Sequence, residues 1–135
     1  MTTDGGLRQL FRHHLPIWDW QPIETAAISP GVPDLNGCWE GREVWVEMKQ
    51  TRGWAVKFQP MQPGLITRRV AHGGHVFIAV RHQSIGADAL HIYHGRSVLD
   101  LQAQGLRAPG RLLLGIGSPA RWDWNMVHHI LSERF

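Results

Sequence analysis

Several things are scarce in this 135-residue chain, and each scarcity excludes something. One cysteine, Cys38, cannot close an intrachain disulfide, and no cysteine pair offers a zinc site. A reducing, cytoplasmic setting is the expectation. No apolar run approaches the length of a membrane span, and the opening MTTDGGLRQL lacks the apolar core of a signal peptide. Lysine is scarce too: only Lys49 and Lys57 stand against twelve arginines. Charged residues make up 19% and hydrophobic ones 43%, which is ordinary for a globular protein and argues against wholesale disorder. The net charge is only +3, compatible with a nucleic-acid partner without establishing one. Length and the absence of repeats or linker-like tracts predict one domain, 1–135, with a single core.

The pattern predicts alternating elements. LRQLFRHHL (7–15) reads as a short helix stopped by Pro16. Residues 23–34 are extended but interrupted by prolines, as in an irregular or edge strand. Residues 42–51 alternate as a half-buried strand, and 59–74 form a helix with prolines in its first turn and a Gly73-Gly74 stop. The unbroken VFIAV within 75–82 predicts a strand buried on both faces, and ALHIYH (89–94) a more peripheral one. A helix from Ser97 to Gly105 follows. An amphipathic helix from Ser118-Pro119 to Leu131 carries Trp124, Val127 and Leu131 on one face. The order α-β-β-α-β-β-α-α implies an α/β fold with a mixed central sheet flanked by helices.

VWVEMKQ puts a carboxylate and an ammonium on a strand that should keep charge off its buried positions. Residues two apart share a face, about 6.6 Å along the chain. Glu47 and Lys49 thus point one way with Trp45, and Val44, Val46 and Met48 the other. An unpaired buried carboxylate costs several kcal/mol, so the charged face must look into a cleft. If Glu40-Gly41 is a two-residue hairpin loop, Asp34 falls opposite Glu47, with β-carbons about 4.5–5.5 Å apart. Two carboxylates so close repel unless a cation or proton intervenes, and Mg²⁺ suits such hard oxygen ligands. A turn at Asn36-Gly37, the stronger hairpin dipeptide, would separate the acids instead. The bland alternative is a surface ion pair.

GVPD followed by VEMK resembles the PD-(D/E)XK nuclease signature, with Asp34, Glu47 and Lys49 at its three positions. GVPDLNG, VWVEMKQT, VKFQPMQ and GGHVFIAV together resemble the small phage and bacterial virus-type replication-repair (VRR-Nuc) nucleases. They are also similar to archaeal Holliday junction resolvases. The match runs from about Glu24 to Val80, and the tail RWDWNMVHHIL is similar to phage members. The resemblance implies a restriction-endonuclease-like core and Mg²⁺-dependent hydrolysis of DNA phosphodiesters, with Mn²⁺ able to substitute. Asp34, Glu47 and the Met48 carbonyl would hold the metal, and Lys49 would orient water or neutralise developing charge. The family usually has a glutamine near the site; Gln62 fits, with Gln59 close enough to compete for the role. Family members commonly add an acid from the first helix; LRQLFRHHL has none, and Glu24 is the substitute, unless it is simply a solvated strand-edge carboxylate.

Arg52, Lys57, Arg68 and Arg69 are candidate phosphate contacts, and Trp54 could stack on a splayed base. The nine histidines, some paired at metal-like spacings, are read as exposed or satisfied groups. The resemblance also implies branched DNA, a four-way junction above all, as substrate. Two symmetric nicks there would call for a homodimer, with Trp122 and Trp124 as candidates for its surface unless they fill the monomer core under the last helix. The competing readings are an inactive DNA-binding module with a nuclease fold, a nuclease of linear or nicked duplex in phage DNA processing, and a small interaction protein with a charged strand.

Overall fold

A computed structural model describes residues 4–24 and 31–133. Along the chain run α1 (Leu7–His14), β1 (Asp19–Pro22), β2 (Leu35–Trp39), β3 (Arg42–Thr51), α2 (Gln62–Ala71), β4 (Val76–Ser84), β5 (Ala87–His94), α3 (Val98–Gln104), β6 (Leu112–Ile116) and α4 (Trp124–Ser132). The six strands lie in sequence order in one sheet. Every neighbouring pair is antiparallel except β3 and β4, which are parallel. That pair needs a long crossover, and α2 supplies it.

The sheet divides the expected single core in two. On one face Val44, Val46, Met48, Phe77, Ala79, Leu90 and Ile92 meet Leu7 and Phe11 of α1 and Val127, Ile130 and Leu131 of α4. On the other, Val76, Ile78, Val80 and Tyr93 meet Ile66 of α2 and Val98 and Leu101 of α3. The result is one α/β domain of three layers, its mixed sheet flanked by four helices. The VFIAV run contributes to both clusters, and all five of its residues are buried. This is why it shows no alternation.

The β2–β3 turn falls at Glu40-Gly41, with Trp39 paired to Arg42. Both loop residues have positive φ, 48° and 76°, as the tight hairpin matching strand twist requires. Asn36-Gly37, the competing turn, lies inside β2. The ring of Trp20 from β1 covers Gly37, and a β-carbon there would sit 2.4 Å from a ring carbon. Gly37 is thus a packing glycine. Gly37→Ala should destabilise the fold by about 1–3 kcal/mol, the usual cost of overpacking a filled site. Urea unfolding compared with wild type measures it, and an unchanged midpoint would contradict this packing.

Four expectations need correction. No strand covers the described part of 23–34; the edge strand is β1, Asp19–Pro22, and DWQP is too short to show alternation. Residues 25–30 of that window lie outside the described residues. The strand over ALHIYH is internal rather than peripheral, because β6 pairs along its outer side. Strand β6 was not foreseen: LLLGI is short, and Leu112, Leu113 and Ile116 remain exposed. The last helix starts at Trp124, where the Asp123 side chain accepts from the Met126 N–H at 3.0 Å; Pro119–Arg121 form a separate 3₁₀ turn. None of the helices among the described residues is long and apolar enough to cross a membrane.

Candidate active site

The β2 ladder begins at Leu35, paired with Val46, so β3 from Glu47 onward extends past its neighbour. Asp34 occupies the next step of that register. It stays near the ladder because its carbonyl accepts the Ile23 N–H at 2.9 Å. Its carboxylate takes over where β2 stops, accepting the Met48 N–H at 2.9 Å. Trp45 donates its N–H to the His75 carbonyl at the start of β4. Odd residues of β3 thus turn their backbone groups toward β4, and even ones toward β2. The Met48 carbonyl consequently faces the side of the strand where Asp34 sits.

Glu47 is 2% exposed, a carboxylate in the heart of the sheet. Its Oε2 accepts from Gln62 Nε2 at 2.8 Å and lies 3.3 Å from Lys49 Nζ. Lys49 Nζ also donates to Gln62 Oε1 at 2.7 Å and lies 4.6 Å from the Phe58 ring centroid. The Gln59 N–H donates to the same Gln62 oxygen at 2.9 Å. Gln62 therefore brings its side chain to the acids, whereas Gln59 enters through its backbone. A glutamine suits this place because its amide donates to the carboxylate and accepts from the ammonium simultaneously.

The electrostatics are strained. Burial, then the neighbouring charge of Asp34, pushes the Glu47 carboxyl up to about 8, against the pull of Lys49. Burial also raises the Asp34 carboxyl, outweighing the Met48 N–H, Glu47, Lys49 and Arg8. Glu47 Oε1 is buried without a hydrogen-bond partner among the described residues. An acceptor kept dry and unpaired costs stability that a cation or proton at that point would recover. Two carboxylates, an unpaired carboxylate oxygen and a carbonyl turned to the same side fit a hard divalent cation, which often takes only one or two protein carboxylates.

These groups line a cleft of about 880 Å³. Glu24, Arg52 and Lys57 lie on its walls, all exposed. Glu24 does not join the pair, since no three His, Cys, Asp or Glu side chains converge among the described residues. Arg68 and Arg69 are exposed on the last turn of α2 and are not among the lining residues. They sit about 9–10.5 Å along the helix from Gln62. Arg81, beside the same strand end, is engaged by both carboxylate oxygens of Asp88, at 3.0 and 2.6 Å, and by the Gly5 carbonyl.

Two lining residues were missed in the sequence. Asp4, 5% exposed, precedes α1, and its carboxylate accepts from the Gly6 and Arg8 N–H groups and from Arg8 Nε. Arg8 brings a guanidinium into the cleft. Asp4 is thus held by the turn ahead of α1 and does not join the Asp34–Glu47 pair; its signal in the sequence was the Asp4-Gly5-Gly6 turn. Among the histidines, His14 stacks on Trp124 and His128 accepts from Trp18 Nε1 at 2.9 Å, both as parts of the aromatic packing, whereas His91, buried with neither ring nitrogen hydrogen-bonded among the described residues, departs from the exposed-or-satisfied expectation.

No protein-family model matches the chain, and no curated protein matches it in sequence.

Proposed function

We propose that the protein is a Mg²⁺-dependent DNA endonuclease with the restriction-endonuclease-like core of the PD-(D/E)XK nucleases. The observation carrying this reading is the Asp34–Glu47 pair in the wall of an open cleft, with Glu47 buried and braced by Lys49 and Gln62 and Asp34 half-buried beside it. A merely structural ion pair has no use for a second carboxylate beside the buried one or for an unpaired oxygen. A surface pair would not be buried at all.

Asp34, Glu47 and the Met48 carbonyl would hold the metal. When bound, Mg²⁺ supplies Lewis-acid polarisation of a phosphate and a more acidic water. Lys49 stands beside Glu47 and can neutralise charge developing on the phosphate oxygens or hold the attacking water. Gln62 fixes both side chains and is a positioning residue. Arg52 and Lys57 on the cleft wall, with Arg8 deeper in, suit phosphate contacts that place the DNA without reading its sequence.

The proposal extends to branched DNA and a twofold homodimer, the arrangement that would give paired nicks across a four-way junction. The tryptophans of the tail do not offer the dimer surface: Trp122 is 3% exposed, and Trp124 packs on the core. The open edge of β6, with Leu112, Leu113 and Ile116 exposed, is the better candidate.

Incubation with duplex, single-stranded, flapped and four-way-junction DNA tests the reading. Cleavage in Mg²⁺ or Mn²⁺, none in EDTA, and binding with little turnover in Ca²⁺ are expected, with paired nicks on the junction. Binding without cleavage under every metal condition would leave a DNA-binding module in place of an enzyme.

A further inference from the structure

Six of the seven tryptophans are buried or half-buried. The seventh, Trp54, is 46% exposed. It sits on the loop after β3, between Arg52 and Ala55, both of which line the catalytic cleft. Its own ring lines a second cavity of about 460 Å³, shared with Arg107 and Arg111 and with no carboxylate in the lining. The guanidinium carbons of Arg107 and Arg111 lie 5.4 and 6.0 Å from the ring centroid. His82 flanks it at 5.6 Å, tilted by 36°.

The arrangement is held from below. The Trp54 carbonyl accepts the Leu106 N–H at 2.8 Å, and a β-carbon on Gly105 would fall 2.1 Å from that same oxygen. The two loops are thus in direct backbone contact, and only a glycine permits it. Arg111 is anchored as well, donating to the Leu106 carbonyl at 2.9 Å. The indole remains 46% exposed beside two arginines that no carboxylate of the cavity lining neutralises. An indole face accepts any base by stacking, and arginines beside it answer the phosphates on either side.

We propose that Trp54, with Arg107 and Arg111, is a stacking platform for an unpaired DNA base on the strand leaving the catalytic cleft. The substrate class it selects is DNA with a single-stranded segment next to the cleavage point, such as a flap or a tailed duplex. This rests on the nuclease reading, because the cleft supplies the neighbouring duplex.

Fluorescence anisotropy with labelled blunt duplex and with the same duplex carrying a single-stranded tail, both in EDTA, tests the platform apart from catalysis. Trp54→Ala should weaken binding to tailed DNA by roughly ten- to a hundredfold, the usual loss on removing one stacked base partner. Blunt-duplex binding should be unaffected, Trp54→Phe should keep most of the tailed affinity, and Arg107→Ala with Arg111→Ala should flatten its salt dependence. Equal losses on both DNAs, or no loss on the tailed one, would overturn the platform. Cleavage of blunt duplex in Mg²⁺ is read separately. If Trp54→Ala binds tailed DNA as wild type does while both cut duplex, the platform fails and the nuclease stands. If wild type never cuts yet the tail-selective loss is found, the nuclease reading fails and the platform remains as a binding site.

Discussion

Asp34→Asn, Glu47→Gln and Lys49→Ala should each slow DNA cleavage by about 10²–10⁴-fold, the range seen when a group acting directly on the reacting centre is removed. All three reach the same point of the cleft, where Glu47 lies 3.3 Å from Lys49 and Asp34 bridges to the Met48 N–H. Gln62→Ala should cost less, because Gln62 acts through Glu47 and Lys49 and water can replace part of its bonding. Single-turnover rates on the substrate that wild type cuts best, with circular dichroism to confirm folding, measure these effects. Wild-type rates for all three variants would show that the site lies elsewhere.

A second large effect concerns stability, and its sign is the reverse of what a mutated core residue usually gives. The Glu47 carboxyl is raised from the ordinary 4.5 to about 8 in the folded chain without a cation. Between those values the folded protein holds a proton that the unfolded chain has released. Stability from this group is therefore present below pH 4.5 and is lost as pH climbs toward 8. Glu47→Gln is nearly isosteric and removes the titration. In EDTA at pH 8.5 the variant should be more stable than wild type by on the order of 1–3 kcal/mol, a rise of several degrees in Tm. At pH 4.5 the two should nearly coincide. Saturating Mg²⁺ should raise the wild-type Tm and leave that of the variant almost unmoved, because only a ligand bound to the folded state stabilises it. Differential scanning fluorimetry at both pH values, with and without metal, measures all of this. A variant less stable than wild type at pH 8.5 in EDTA would contradict the strained-carboxylate account.

How far the sequence alone could be read depended on whether local pattern carried the signal. Strand β3 was legible to its end residues, since its alternation and its two anomalous charges both follow from a period of two. The turn at Glu40-Gly41 was also legible, but only by weighing strand lengths against the stronger Asn-Gly dipeptide. Gly37 instead seats a tryptophan from another strand, and no local rule contains that information. Strands β1 and β6 were illegible for a related reason. Each is a short edge held mainly by one neighbour, so its own residues need no sustained pattern. At the site, Asp34, Glu47, Lys49 and Gln62 come from one hairpin and one crossover, where register can be counted. Asp4 and Arg8 arrive from a helix packed across the sheet, and sequence separation hides that proximity.

The point where β3 outlasts β2 also ties the history of the site to that of the fold. The same pairing that sets Asp34 beside Glu47 sends Val44, Val46 and Met48 into the core. Inserting one residue into the Glu40-Gly41 loop with the ladder shifted to match would turn every β2 side chain over. Leu35 would leave the core in the same step that removed Asp34 from the cleft. A change of length in this hairpin therefore cannot remove the site while the scaffold persists. Loss of the two acids in a folded descendant has to come through substitution, one carboxylate at a time, and the first such change at Glu47 relieves strain in the metal-free fold.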